Sequence, residues 1–323
     1  MKISDRKVNL NTDGIISAGI SSPEEMLLFD IETTGLKKEY CRVYLIGCAY
    51  IESDGWHIRQ WLTQEVADEI NVLKAFGDFA CGFKLLVTFN GERFDIPFVD
   101  FRNRYYGLDS KIIGFESLDI YKEIKPAKKL LGAKSFSQKS VEGIMGIRRD
   151  DKLDGGLLIP YYYEYEVTKS PENEKLLLLH NFEDVLGMGK ILPVLNYPEI
   201  LKGNFSYSGH VCTADKLTAD FLLDRAVPAA FRNDKIYAEK NILSIDFDIK
   251  DGMVLFPLND VENYYYLPFE DRIIHKDLAA FVEKKYKRKA ARENCFLKVE
   301  TERIKELRAE DFRKYAVNAV LSC

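Results

Sequence analysis

The chain has no pairing of metal-binding or disulfide type among its cysteines. Cys41, Cys48, Cys81, Cys212, Cys295 and Cys323 are scattered without a CxxC pair, and only four histidines accompany them. That pattern argues against both a disulfide framework and a clustered zinc site. No charged-then-apolar segment opens the sequence, so reduced thiols and a cytoplasmic location are expected. No run approaches the roughly 20 apolar residues that cross a bilayer, and no membrane partner is expected. Positive charge is also in short supply. The net charge of −5 speaks against a generally basic coat for nucleic acid, although clustered acidic ligands would themselves push the sum negative.

What is present is enough apolar material for a real core. At 323 residues with 46% hydrophobic and 12% aromatic content, the chain fits one large domain with a smaller appendage. Residues 1–23 are polar and aperiodic, broken at Gly14 and Ser21-Ser22-Pro23, and are expected as a loosely ordered leader. Met26-Leu27-Leu28-Phe29-Asp30-Ile31-Glu32 opens on an unbroken apolar run, the mark of a strand covered on both faces. Strands are expected over 42–51 and 56–62 with a hairpin at Asp54-Gly55. Val66, Ile70, Leu73 and Phe76 recur at helical spacing, and residues 85–89 return as a short buried strand. A helix over 97–106, a strand over 112–118 and helices over 137–145 and 176–192 complete a mixed α/β order. Beyond Pro193 the pattern loosens, which places a boundary near residue 198 and an accessory region over 199–323. Within that region, 242–249 and 253–256 resemble strands around a turn at 250–252, and 276–292 resembles a basic helix.

Three acidic sites stand out. Side chains two apart on a strand point the same way, so Asp30 and Glu32 offer two carboxylates on one face, one half of a hard-cation site, or else they cap a turn. Asp95 follows a buried strand in Asn90-Gly91-Glu92-Arg93-Phe94-Asp95 and also suits a helix N-terminus. His180 and Asp184 stand four apart, on one helix face, behind four leucines. Clustered carboxylates raise one another's pKa values, and divalent ions remove that penalty. Oxygen donors favour Mg²⁺ or Mn²⁺ over zinc.

Asp30-Ile-Glu-Thr-Thr-Gly-Leu36, Asn90-Gly-Glu-Arg-Phe-Asp95 and His180-Asn-Phe-Glu-Asp184 resemble the three exonuclease motifs of the ribonuclease H-like, DnaQ-related DEDD superfamily, most nearly its YprB-like group, over residues 25–195. The resemblance implies a ribonuclease H-like mixed five-stranded sheet over 24–198 with flanking helices, followed by a smaller α+β extension. It implies that Asp30, Glu32, Asp95 and Asp184 bind two Mg²⁺ (or Mn²⁺) ions, with His180 as the base that activates water. The activity implied is metal-dependent 3′→5′ hydrolysis of DNA or RNA from a 3′ end. Four residues separate His180 from Asp184, the spacing of tyrosine-type members rather than histidine-type ones. Thr33, Gly35, Leu36, Asn90 and Phe94 are the expected contacts to the terminal nucleotide.

The stretch from Lys139 to Arg149 with Asp150-Asp151 resembles that group's connector between the second and third motifs. Arg148 or Arg149 is a candidate for phosphate, or for ion pairs with Asp150, Asp151 or Asp154. Tyr161-Tyr162-Tyr163 reads as core and groove wall, with base stacking as the alternative. From Lys276 to Arg292, seven basic residues face few acids, which fits either a nucleic-acid contact or a solvated face. Rival functions on the same fold are a structure-specific endonuclease, an RNA-processing nuclease, or a catalytically silent nucleic-acid-binding protein. A dinucleotide-binding dehydrogenase fails, because Gly187-Met-Gly189 lies within a helix-like segment and not after a strand.

Overall fold

The computed structural model describes residues 1–109, 112–151, 153 and 155–322; Asp154 and Cys323 lie outside them. The chain forms two compact units, Met1–Lys125 with Ser135–Leu195, and Pro126–Lys134 with Asn196–Cys323. Membership of residues 126–134 in the second unit is not visible in any linear reading of the chain.

The first unit is built on strands β1 (Lys2–Val8), β2 (Met26–Thr33), β3 (Val43–Glu52), β4 (Gly55–Leu62), β5 (Leu85–Thr88) and β6 (Glu116–Asp119). They form one mixed sheet in the order β1-β4-β3-β2-β5-β6. The strands from β1 to β2 run antiparallel to their neighbours, and β2, β5 and β6 are parallel. Helices α1 (Thr12–Ser17), α2 (Glu69–Ala80), α3 (Asp95–Tyr105), α4 (Ile120–Ile124), α5 (Gln138–Ile144), α6 (Gly155–Thr168) and α7 (Pro171–Ile191) complete it. Among the described residues no helix is long and apolar enough to cross a membrane.

Two expectations are corrected here. The sheet has six strands rather than five, because the supposed leader supplies the edge strand: Lys2 to Val8 pair in unbroken register with Leu62 to Trp56. Its side chains are mostly polar and exposed, so no apolar alternation announces it. Backbone bonds hold it, together with Asp5, which accepts from Tyr50 Oη at 2.8 Å and Arg59 Nε at 2.6 Å. Just beyond, Leu10, Ile15 and Ile20 are buried. The last strand begins at Glu116 rather than residue 112, and Ile112 is buried in the turn before it.

Each face of the sheet has its own core. On one side Phe29, Trp61, Val72, Phe76, Phe98 and Val99 pack together beneath α2 and α3. On the other, Tyr44, Leu45, Leu62, Leu158, Tyr162 and Leu177 pack beneath α6 and α7. Of the tyrosine triplet on α6, Tyr162 enters this core and stacks on Tyr44 at 4.1 Å, whereas Tyr161 and Tyr163 face solvent. Helix α6 escapes sequence periodicity because Pro160 and this aromatic run blur its apolar face.

The second unit opens with α8 (Tyr197–Leu201) and is dominated by an antiparallel sheet. Its strands are β7 (Phe205–Cys212), β8 (Lys216–Leu223), β9 (Phe231–Arg232), β10 (Ile236–Glu239), β11 (Ile242–Lys250), β12 (Met253–Pro257) and β16 (Phe296–Glu300). Positive φ at Asp251 (51°) and Gly252 (75°) turns β11 into β12, the backbone a tight hairpin demands. A smaller sheet joins β13 (Tyr264–Leu267), β14 (Arg272–His275) and β15 (Arg288–Lys289). Helix α10 (Ala309–Ser322) lays Tyr315 on Phe256 with ring centroids 4.1 Å apart. The basic stretch 276–292 is not one helix. It divides into the short helix α9 (Lys276–Ala279), a 3₁₀ turn at Lys284–Tyr286, and β15, because its run of cations carries no apolar stripe to bury as a helix.

Candidate active site

Strand β2 is flanked by neighbours on both sides and covered on both faces, so its C-terminal end delivers Asp30 and Glu32 into a largely dry environment; Glu32 is only 7% exposed. Register between β2 and β3 shifts between Glu32 and Thr33, where Leu45 and then Val43 are the partners, an irregularity of the bulge kind just where the two carboxylates emerge. Asp95 is the first residue of α3, and its Oδ1 accepts the backbone N–H of Ile31 at 3.1 Å. The third acid is therefore bonded to the strand between the first two, at a helix N-terminus that favours negative charge. The turn before α3 is fixed by Asp119, whose carboxylate accepts from the backbone N–H of Asn90 at 2.8 Å and of Glu92 at 3.3 Å. Asn90 takes a positive φ of 64° there.

Helix α7 closes the site from the other face. Its Asn181 donates from Nδ2 to Asp30 Oδ2 at 3.1 Å, and accepts through Oδ1 from Gln60 Nε2 at 2.9 Å. This approach requires Gly47, the partner of Asp30 across the strand pair. A Cβ on Gly47 would lie 2.0 Å from Asn181 Oδ1. One residue before Asn181, His180 points Nε2 to within 3.2 Å of Asp184 Oδ2 and 3.6 Å of Glu32 Oε1. Glu32, His180 and Asp184 each bring a ligand atom within 4.8 Å of the others.

The electrostatics are those of crowded acids. Burial, followed by the charges of Asp95, Asp184 and Glu32, holds Asp30 well above the ordinary carboxyl range. Glu32 is likewise raised, by burial and then by Asp184, Asp95 and Asp151. Asp95 is pushed by burial up to about 7, even though the bond from Ile31 opposes the rise. Such groups favour either a proton or a cation. Buried hard oxygen donors that repel one another fit a divalent metal ion of the Mg²⁺ class.

Three further residues take part in ways the sequence did not assign. Asp151, buried, meets His180 Nδ1 at 2.6 Å; the backbone N–H groups of Asp150 and Asp151 donate to Glu183 at 3.0 and 2.7 Å. Arg149 does not stand free for phosphate, nor does it pair with Asp150 or Asp151. Its guanidinium bonds Glu142 and Asp184, while Arg148 is exposed. Asn181, inside the third motif, carries no charge that would have marked it. The signal for Asp151 and Arg149 was their shared acidic and basic cluster, which local spacing could not connect to α7.

Of the expected nucleotide contacts, Thr33 Oγ1 bonds Gly35 O at 2.8 Å, and Leu36 stands 85% exposed. Gly35 has a φ of 154°. Phe94 is half-buried and packs on Phe98 with centroids 5.4 Å apart.

A family model of the RNase_H superfamily matches residues 27–196, more than half of the chain, and the protein belongs to this ribonuclease H-like nuclease superfamily. It is 27% identical over 177 residues to the uncharacterized protein YprB of Bacillus subtilis (strain 168), covering 54% of this chain and 42% of that one. The chain thus spans less than half the length of that relative. Among solved structures it resembles the family B DNA polymerase of the hyperthermophilic archaeon Pyrobaculum calidifontis, with a TM-score of 0.43 and 18% identity, covering 55% of this chain and 25% of that one.

Gly47→Ala is expected to lower stability by about 1–3 kcal/mol through overpacking against Asn181. Asn181→Ala in the same background should recover part of that loss, as read by denaturant unfolding. Additive losses in the double variant would show that the close approach of α7 is not what Gly47 provides.

Proposed function

We propose that the protein is a metal-dependent 3′→5′ exonuclease that hydrolyses phosphodiester bonds of DNA or RNA and releases nucleoside 5′-monophosphates. The observation that carries this reading is the convergence of Asp30 and Glu32 from β2, Asp95 from α3, and His180 and Asp184 from α7 on one buried acidic site. Asp30, Glu32, Asp95 and Asp184 are the proposed ligands of two Mg²⁺ or Mn²⁺ ions. When bound, such ions supply positive charge that acidifies water and stabilises the attacking and leaving oxygens of an in-line displacement.

His180 is the proposed proton acceptor. With Nδ1–H donated to Asp151, a tautomer assigned from that hydrogen bond, Nε2 is the nitrogen turned toward Glu32 and Asp184 and the atom proposed to take the proton. The water oxygen attacks phosphorus, its proton passes to Nε2, and the P–O3′ bond breaks. The departing 3′ oxygen takes a proton from solvent. Asp151 does not touch substrate; it orients the imidazole. Thr33, Gly35, Leu36, Asn90 and Phe94, at the exits of β2 and β5, are the proposed contacts to the terminal nucleotide.

Incubation with 5′-labelled single-stranded DNA and RNA is expected to give a ladder shortening from the 3′ end in Mg²⁺ or Mn²⁺, and none in EDTA. Asp30→Asn should reduce the rate by at least roughly 100-fold, in line with removal of a group that acts as part of a catalytic unit. Internal cuts in place of a ladder would refute the exonuclease reading, and intact substrate under every metal would refute catalysis on linear strands.

Asp151→Asn should lower kcat by roughly 10- to 100-fold, the usual effect of an outer partner, while Mn²⁺ affinity and KM hold. A KM effect with kcat unchanged would show that Asp151 shapes binding rather than His180.

Metal affinity should depend on pH with a definite sign. Asp95 keeps its proton up to about pH 7 in the metal-free protein, and binding requires the ionised carboxylate. Mn²⁺ affinity is therefore expected to rise with pH through about 7, with proton release visible by calorimetry in buffers of different ionisation enthalpy. The linked stability runs in step: the raised carboxyl stabilises the metal-free fold below its unfolded value near 3.8, and this contribution is lost as pH rises through about 7. The thermal stabilisation given by Mn²⁺ should thus grow over the same window. Affinity that is flat from pH 5 to 8 would remove these carboxylates as ligands.

A further inference from the structure

The accessory unit carries a surface that the hydrolytic site does not use. Phe269 is 84% exposed, in the turn between β13 and β14, and Phe281 is 90% exposed, in the turn beyond α9. Phe269 faces Tyr286 with ring centroids 6.1 Å apart at 70°. Beside them opens a cleft of about 440 Å³ lined by Leu267, Phe269, Arg272, Ile274, Val282 and Tyr286, within the size range of small-molecule sites. Glu270, which also lines it, is paired with Arg272. Phe269 and Tyr286 in contact, with Phe281 exposed next to the cleft-lining Val282, mark an interaction surface.

The charge around the rings selects the partner. Between Lys276 and Arg292 the chain places seven cations and only two carboxylates, Asp277 and Glu283, although the whole protein is net negative. Several of these cations lie over tyrosine faces: Lys285 over Tyr286 at 4.7 Å, Arg288 over Tyr266 at 5.0 Å, and Lys287 over Tyr265 at 5.3 Å. Each of these cation–π contacts is worth only a fraction of the attraction to a phosphate. The result is aromatic faces interleaved with positive charge, in which Lys285 is also paired with Glu283 at 3.0 Å. Aromatic faces accept bases of any sequence by stacking, and the adjoining cations follow the phosphates.

We propose that this face of the accessory unit is a second nucleic-acid contact, on which an unpaired strand stacks its bases against Phe269, Tyr286 and Phe281 while Lys284, Lys285 and Lys289 neutralise its phosphates. It rests on the nuclease reading for the identity of the strand as substrate, but not for the binding itself. The interaction is sequence-tolerant and salt-sensitive, and it recruits a strand without taking part in its hydrolysis.

The test is fluorescence anisotropy with labelled oligo(dT) and oligo(U), using the full chain in EDTA so that nothing is cleaved. Phe269→Ala with Phe281→Ala should weaken binding by roughly 30-fold or more, the scale of losing two stacked bases. Both side chains are almost fully exposed, so the fold is expected to hold, and thermal unfolding verifies this. Lys284→Gln, Lys285→Gln and Lys289→Gln together should flatten the dependence of log K on log salt by about two, at roughly 0.7 per phosphate contact on a single strand. Unchanged affinity and unchanged salt slope in the folded variants would overturn the proposal. So would tighter binding of anionic phospholipid vesicles than of either oligonucleotide with the same dependence on these residues, since that would make the surface a membrane contact. Asp30→Asn tested in parallel separates the two ideas: it should slow cleavage by at least roughly 100-fold and leave this binding intact. If no cleavage is found for any variant while the binding losses stand, the hydrolytic reading fails and this one survives.

Discussion

Crowding carboxylates into a buried space is the constraint on which the rest of the first unit depends. Like charges out of water are stable only when something neutralises or bonds them. Here three of the four acids have a specific attachment: Asp95 to the N–H of Ile31, Asp30 to Asn181, and Asp184 to Arg149, while His180 Nε2 stands 3.6 Å from Glu32. Even so, Asp30, Glu32 and Asp95 are all raised above ordinary carboxyl behaviour. The fold holds these groups in a state that a divalent cation relieves, and the hydrogen bonds set where they point before any cation arrives.

Helix α7 is the element through which that constraint reaches the core. Its apolar residues pack on Tyr44, Leu45 and Leu62, and the same face carries His180 and Asn181. Gly47 lets the helix come close enough for Asn181 to bridge Gln60 and Asp30. A second close approach, at Gly187, brings in Glu142: a Cβ there would lie 2.1 Å from its Oε1. Glu142 in turn bonds Arg149, which bonds Asp184. Small residues at two points of contact thus couple helix packing to the direction of the acidic side chains, so a change of one methyl group in the core is felt at the site.

Strand β2 and helix α7 were legible because each combines a strong apolar pattern with ionisable side chains at a regular spacing, Asp30 and Glu32 two apart on a strand and His180 and Asp184 four apart on a helix. The sheet edge was not, because β1 is held by backbone pairing and by Asp5 rather than by an apolar face. The basic stretch 276–292 misled for the opposite reason: consecutive cations suit many backbones equally, and its pairing partner Tyr264–Leu267 lies some distance earlier in the chain. Helix α6 was hidden by a proline and by aromatic side chains that point both inward and outward.

By itself the sequence determined the residue types, their spacing within each motif and the mixed α/β order, since these follow from local periodicity and from the chemistry of single side chains; the superfamily was legible only through the resemblance of the three motifs to a known family. Only the tertiary structure decided which groups complete the constellation. Asp151 meets His180 across 29 positions, and Asn181 meets Asp30 across 151. Such pairings depend on how closely helices and sheet pack, which no local pattern encodes. The same is true of Arg149: its charge is evident in the sequence, but burial beside Glu142 and Asp184 turned it inward, and that burial is a property of the assembled fold.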